Sequence, residues 1–161
     1  VKRRAYIGLG ANLGDPPARL RWALTRLREL GEVVAHSSLY RSAPMGPREQ
    51  PEFCNAVAQL DTALQPTELM QALLAIERDA GRIRDIKWGP RTLDLDLLHV
   101  EGFVHDTPAL RLPHPGIAER NFVLVPWAEI APALEVPGLG CVGERAARIG
   151  NEGLALWDSG N

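Results

Sequence analysis

Cysteine is scarce in this chain: it has two among 161 residues, Cys54 and Cys141. They make neither a zinc-ligand spacing nor a disulfide framework, and Cys54 sits in an apolar alternation that suits a small core residue. Long apolar runs are also lacking, so no membrane-spanning segment is expected. No signal peptide opens the sequence, and the expected compartment is the cytosol. Neither charge sign is in surplus. Lys and Arg number 18 against 20 Asp and Glu, a net charge of −2 with a pI near 6.1. That argues against a general nucleic-acid binder. The four histidines, His36, His99, His105 and His114, form no helical pair of the metal-binding kind. Internal repeats and low-complexity runs are absent. What is present is ordinary for a soluble globular domain: 45% apolar and 24% charged residues. The length suffices for a real core, so one domain spanning residues 1–161 is expected. Arginines cluster at 19–28 and 78–91, which leaves room for local positive sites.

Periodicity gives the order of elements. Ala5 to Gly10 reads as a strand. Asp15 then Pro16 forms a helix start, an N-cap acceptor with proline in the first turn. Leu20, Leu24, Leu27 and Leu30 make the buried stripe of that helix, and Gly31 ends it. Arg19, Arg21, Arg26 and Arg28 lie mostly off the stripe, as a solvated face would. Val33 to Tyr40 is a second strand, followed by a Pro/Gly-rich loop over 43–51. Phe53 to Leu60 is a third, with Cys54, Ala56, Ala58 and Leu60 on one face and Phe53, Asn55 and Val57 on the other. A second helix opens at Pro66, runs through Leu69, Met70, Leu73, Ile76 and Ala80, and ends at Gly81. A basic loop leads to a strand at 93–98, which turns back at 100–103 into a short partner strand. The order β-α-β-β-α-β is the ferredoxin-like, α+β pattern: an antiparallel sheet with two helices on one face. Residues 106–161 add helical turns near 116–121 and 126–131 that cover the second face or an edge, then a loosely held tail.

Residues 82–98, RIRDIKWGPRTLDLDLL, carry the most chemistry. Asp94 and Asp96 alternate with Leu93, Leu95 and Leu97, so in a strand both carboxylates face away from the leucines, their Cα atoms roughly 6.6 Å apart. Arg82, Arg84, Lys87 and Arg91 lead into the strand. An acid pair beside a basic loop suits a polyphosphate with magnesium: carboxylates hold the hard cation and arginines take phosphate oxygens. The bland alternative is a solvated strand face with surface salt bridges. Gly8-Leu9-Gly10-x-x-x-Gly14 is a tight strand-to-helix turn, since the second strand ends without the acid that a dinucleotide site needs. Asn55 and Phe53 share a strand face; taken alone they read as a structural residue facing a loop and a core residue. Two rival classes stay open on residues alone. One is a non-catalytic ferredoxin-like module binding RNA or a partner, although no aromatic RNP-type signature is present. The other is a two-metal nuclease or phosphatase.

Several stretches together resemble one family. Ile76-Glu77, Gly81-Arg82-x-Arg84 and Trp88-Gly89-Pro90-Arg91-Thr92-Leu93-Asp94-Leu95-Asp96-Leu97-Leu98 look like the signature of hydroxymethyl-dihydropterin pyrophosphokinase, an enzyme of folate biosynthesis. Tyr6 to Asp15, Ser38-x-Tyr40-Arg41-Ser42-x-Pro44-x-Gly46, Gln50-Pro51-x-Phe53-x-Asn55, Pro113-His114-Pro115, Arg120-x-Phe122-Val123-Leu124-x-Pro126 and Glu129-Ile130-Ala131-Pro132 follow the same pattern, in order, from about residue 5 to 136. The resemblance implies a single pyrophosphokinase domain that moves pyrophosphate from ATP to the pterin's hydroxymethyl group. It implies two magnesium ions on Asp94 and Asp96, with Arg82 and Arg91 stabilising the transferred group. It places Gly8, Ser42, Pro44, Met45, Phe53, Asn55, Trp88 and Phe122 around the pterin. Glu77, Arg84, Trp88, Arg91, Leu97, Arg111, His114 and Arg120 fall around ATP. The chain departs from the pattern at Ala109-Leu110-Arg111-Leu112, which leaves open which of these meets ATP, and at Leu74, where some relatives place a polar residue. ATP and the pterin are the expected partners, without nucleic acid or membrane. Oligomeric state is open, with a monomer as the working expectation.

Overall fold

The computed structural model describes residues 2–42, 52–83 and 93–157, with the side chains of 82 and 83 excepted. In chain order the elements are β1 (Arg3–Ala11), α1 (Pro16–Leu27), β2 (Glu32–His36), β3 (Tyr40–Ser42), β4 (Phe53–Thr62), α2 (Pro66–Ile83) and β5 (Asp94–Val100). There follow β6 (His105–Thr107), β7 (Leu110–Leu112), a 3-10 turn (Ile117–Glu119), α3 (Asn121–Ile130), β8 (Glu135–Val136), β9 (Gly140–Cys141), α4 (Val142–Ile149) and β10 (Leu154–Leu156). The main sheet has six strands, in the order β10-β3-β4-β1-β5, with β2 beside β3 on the same edge of β4. Every pairing in it is antiparallel. This is the ferredoxin-like α+β arrangement that the element order implies.

The sheet has a core on each face. On the first, Ile7, Leu9, Ala58, Leu60, Leu95 and Leu97 meet Leu20, Leu24 and Leu27 of α1 and Leu69, Leu73 and Ile76 of α2. On the second, Tyr6, Val57 and Leu98 meet Leu124 and Trp127 of α3 and Val142 and Ala146 of α4. The C-terminal segment therefore covers the second face. A bulge in β5 joins the two patterns. Tyr6 pairs with His99 and Ile7 with Leu97, so Leu98 is an extra residue on β5. Leu97 enters the first core and Leu98 the second, and His99 stacks on Tyr6 with the ring planes 9° apart.

The helix start at Asp15 is as expected: its carboxylate accepts the Ala18 amide at 3.2 Å. Five sequence expectations need correction. The strand expected over Val33–Tyr40 is two strands. Ser37 still donates its amide to the Val57 carbonyl at 2.9 Å, but the return bond runs from the Val57 amide to the Ser37 hydroxyl at 3.0 Å, and Ser38 turns away to Glu129, so the regular ladder ends there. Helix α2 runs past Gly81 to Ile83, because Gly81 lacks the positive φ of a helix-ending glycine. The partner expected for β5 pairs with β7 instead. The outer edge of β5 is already taken by the Glu77 carboxylate at the Leu95 amide and by the His114 amide at the Leu98 carbonyl. The turn expected at 126–131 belongs to a helix that begins at Asn121 and runs through Pro126. Its buried Val123, Leu124, Pro126 and Trp127 keep it on the sheet despite the one backbone bond that proline cannot make. Finally, the tail is not loose as far as residue 157: Leu154–Leu156 pairs with β3, and Trp157 donates its amide to the Leu39 carbonyl at 2.9 Å, while residues 158–161 lie outside the described residues.

Candidate active site

Strand register brings the chemistry-bearing residues to one face of the sheet. Directly opposite residues point to the same side. Tyr40 lies opposite Asn55, Asn55 opposite Gly10, and Gly10 opposite Asp94, which makes one row across β3, β4, β1 and β5. The next row is Val57, Gly8 and Asp96. Val57 belongs to the second core, so Asn55, Asp94 and Asp96 lie on the α3 side, just beyond the area that α3 covers. Both aspartates are half-buried.

The two glycines form the floor. A Cβ on Gly10 would sit 3.1 Å from Asn55 Nδ2, and one on Gly8 would sit 3.4 Å from Leu98 Cδ2. Their lack of a side chain lets Asn55 lie flat over β1 and leaves the sheet surface open. Asn55 is buried, and its Oδ1 accepts the Ser42 hydroxyl at 2.6 Å. That bond fixes which way the amide faces, with its NH2 end over Gly10. Phe122, in the first turn of α3, stands opposite. Together Gly8, Gly10, Asn55, Asp96, Phe122 and Val123 line a shallow, solvent-open cleft. Phe53 begins β4 on the same face as Asn55 but outside this lining.

A second cluster closes the acid end. His114 Nε2 stands 4.0 Å from Asp96 Oδ1, and His114 Nδ1 accepts the Gly116 amide at 3.2 Å. That acceptor role leaves the proton of the neutral ring on Nε2, facing the carboxylate. Burial pulls His114 below the usual histidine range; Asp96 opposes this and Arg120 adds to it. The Arg120 guanidinium lies against Gly116, where a Cβ would stand 2.9 Å from its Cζ. So His114, Arg120 and Asp96 are gathered at one end of the cleft. Two carboxylates next to a cationic side chain suit an anionic ligand accompanied by a hard cation.

Other expected site residues stand elsewhere. The Glu77 carboxylate accepts the Leu95 amide at 2.7 Å. Leu97 is fully buried in the first core, on the face opposite the aspartates. Of Leu110, Arg111 and Leu112 only Arg111 is exposed, and it stands 3.6 Å from Asp106. Leu74 is exposed on α2. Arg82 is on the last turn of α2, and its side chain is outside the described set, as are Pro44, Met45, Arg84, Trp88 and Arg91. Among the described residues no group of three or more His, Cys, Asp or Glu side chains could hold a metal ion. No helix among them is long and apolar enough to cross a membrane. The bonds of Ser42 to Asn55 and of Gly116 to His114, and the seat of Arg120 on Gly116, leave no trace in spacing; only the folded register shows them.

Comparison with known proteins gives the family. The family model of 7,8-dihydro-6-hydroxymethylpterin-pyrophosphokinase (HPPK) matches residues 6–132. The chain is 48% identical over 137 residues to the 2-amino-4-hydroxy-6-hydroxymethyldihydropteridine pyrophosphokinase of Pseudomonas aeruginosa, covering 84% of this chain and 85% of that one. It is 44% identical over 153 residues to the protein of the same name from Methylorubrum extorquens, covering 94% and 96%. In fold it is similar to a crystal structure of HPPK-DHPS in complex with substrates, with a TM-score of 0.74 and 11% identity, over 96% of this chain and 46% of that one. Wild-type Plasmodium falciparum HPPK-DHPS with pterin and p-hydroxybenzoate gives a TM-score of 0.72 at 12% identity, over 97% and 45%. This chain thus spans about half the length of those two proteins. With more than half of its length matched by the family model and relatives well above 40% identity, the chain belongs to the 7,8-dihydro-6-hydroxymethylpterin-pyrophosphokinase family.

Proposed function

We propose that the cleft over Gly8 and Gly10 is where this chain carries out the family's reaction. That reaction is ATP-dependent transfer of a pyrophosphoryl group to 6-hydroxymethyl-7,8-dihydropterin, a step of folate biosynthesis. The observation that carries the reading is the row Asn55–Gly10–Asp94, with Gly8–Asp96 beside it and Phe122 opposite. It sets an amide edge, a bare sheet floor and an aromatic face next to an acid pair. The pterin ring lies on the floor, its polar edge toward Asn55 and its face toward Phe122. Ser42 holds the Asn55 amide in place, and Phe53 with Pro44, Met45 and Trp88 completes the pocket. The hydroxymethyl oxygen bonds to the β-phosphorus of ATP as the bond to the α-phosphate oxygen breaks, and AMP leaves. No protein base is assigned to the hydroxyl proton.

Two hard carboxylate donors on one face, with room for ligand oxygens, fit magnesium. Asp94 and Asp96 would hold it, as two ions in this reading, and the metal supplies charge neutralisation on the phosphate oxygens. His114 and Arg120 take nucleotide phosphates from the acid end of the cleft, with Arg84 and Arg111 on the nucleotide side; Leu97, buried in the first core behind the sheet, has no access to it. Arg82 and Arg91 stabilise charge on the transferred group. In this reading residues 1–161 act as one pyrophosphokinase domain, a cytosolic monomer whose partners are ATP and the pterin. The test is incubation with ATP, magnesium and the hydroxymethyl-dihydropterin. AMP formed in step with the pterin diphosphate supports the reading. ADP or free phosphate, with no pterin product, rules it out.

A further inference from the structure

The two aspartates sit on the strand at the edge of the sheet. Strand β5 is bonded to β1 on one side and to no other strand of the main sheet on the other. The outward amides of an edge strand go to water unless something covers them, and an edge-strand end opens locally more readily than an inner one. For an ordinary strand that matters little. Here the end carries two like charges two residues apart, and their repulsion favours opening further.

Glu77 meets this weakness. It stands on α2 beside Ile76, whose side chain is buried in the first core, so the helix backbone at this point is anchored to the sheet. Its carboxylate reaches the sheet edge, and Oε2 accepts the amide of Leu95 at 2.7 Å, the short range of a charge-assisted bond. Leu95 is the residue between Asp94 and Asp96. Its side chain is buried in the first core, and it lies opposite Leu9 on β1. With its side chain packed and its amide held, Leu95 has little freedom to rotate. The directions of the Asp94 and Asp96 side chains then follow from the strand alternation on either side of it.

We infer that Glu77 is a positioning residue for the acid pair: through the Leu95 amide it fixes the splay of the two carboxylates and so sets how tightly they take a divalent cation. This role rests on Asp94 and Asp96 being the cation ligands. It also differs from contact with ATP. A residue acting through a hydrogen bond can be replaced by any acceptor of equal reach, whereas one acting through its charge cannot.

That difference defines the experiment. Glu77→Gln keeps the reach and an acceptor oxygen but loses the charge. Glu77→Asp keeps the charge but is one methylene too short for the Leu95 amide. Three quantities are read in each full-length variant: exchange of the Leu95 amide by NMR, Mn2+ binding with an unreactive ATP analogue by EPR, and the Mg2+ concentration giving half-maximal rate. We expect Glu77→Asp to speed Leu95 exchange, weaken Mn2+ binding and raise the Mg2+ requirement, each by about tenfold, the scale of one lost charged hydrogen bond. Glu77→Gln keeps the acceptor but loses the charge assistance, so it should be impaired clearly less than Glu77→Asp in all three. The opposite order, with Gln impaired and Asp normal, overturns the inference and assigns Glu77 a role through charge. Faster Leu95 exchange with unchanged Mn2+ binding overturns it as well, leaving a merely structural bond. Asp96→Asn is measured in parallel. If it leaves Mn2+ binding intact, the acid-pair reading itself fails, a result distinct from the failure of the Glu77 inference alone.

Discussion

Asp94 and Asp96 show how much a single residue pair can carry. Both are half-exposed and belong to neither core, so loss of charge there should leave the fold intact. Asp94→Asn and Asp96→Asn should each abolish most AMP formation with little change in melting temperature. Near-normal turnover at limiting magnesium in either variant would remove these residues from the metal site. On the pterin side, Asn55→Ala should weaken pterin binding by about 1–3 kcal/mol with much less effect on ATP, the size of a lost buried polar contact. Calorimetry with each ligand separately decides it, and equal losses would count against a dedicated pterin edge. Gly10→Ala should act through the same residue, since the new Cβ would meet Asn55 Nδ2 at 3.1 Å and push the amide off the floor. The direction of the acid pair was legible from sequence because it needs only the two-residue period of one strand. The contribution of Gly10 was not, because it depends on β1 lying between β4 and β5, a relation among residues more than 40 positions apart in the chain.

Elements were legible where local chemistry decides them. Asp15-Pro16 marks the start of α1 because cap and proline act within one turn. The break between β2 and β3 was hidden, because it comes from Ser37 and Ser38 choosing distant partners, Val57 and Glu129. The crossover from α1 to β2 is another such place. Gly31 lies against the backbone of β4, and a Cβ there would fall far inside contact distance of the Asp61 carbonyl oxygen. Next to it the Thr62 hydroxyl donates to the Leu30 carbonyl at 2.7 Å, so the two backbones cannot separate cheaply. Gly31 has no positive φ, so the demand is for space rather than for an unusual backbone angle. Gly31→Ala should therefore destabilise the protein by about 3 kcal/mol, at the upper end of ordinary overpacking. A urea melt that shifts by less than a third of that would show that the crossover can move aside.

At the scale of the whole molecule, Glu129 ties the C-terminal half to the N-terminal half. From α3 its carboxylate accepts the Ser38 amide at 3.0 Å, the Ser38 hydroxyl at 2.9 Å and the Tyr40 hydroxyl at 2.6 Å. The helix carrying Phe122 is thereby held against the strand carrying Ser42, so the two sides of the cleft keep their separation. Burial raises the Tyr40 hydroxyl, and Glu129 beside it raises it further, to about 12. For Glu129 burial acts upward, but the bonds from Tyr40 and Ser38 outweigh it and hold the carboxyl below its usual range. The signs follow from these shifts. The Glu129 contribution is full above the ordinary glutamate value of about 4.3 and fades as pH falls through the lowered one. The Tyr40 contribution is full below the ordinary tyrosine value of about 10 and fades as pH rises toward the raised one. The difference in melting temperature between parent and Glu129→Gln should thus be largest across the neutral range and shrink at both ends. Tyr40→Phe should abolish the alkaline decline alone. A difference that stays constant from strong acid to strong alkali would show that neither titration is linked to folding.

Strand β3 has one more consequence. It lies between β4 and β10, and Trp157 stacks on Arg41 at 4.2 Å, so the strand ending in Ser42 is flanked on its outer side by residues from the far end of the chain. On a ribosome, synthesis is directional. Residues 40–42 emerge more than a hundred codons before Leu154–Leu156 does, and β3 remains a bare edge for all of that time. The strand that ends in Ser42, whose hydroxyl holds Asn55, therefore gains its outer neighbour only after Leu154–Leu156 has been made, although Gly8, Gly10 and Asn55 are made long before.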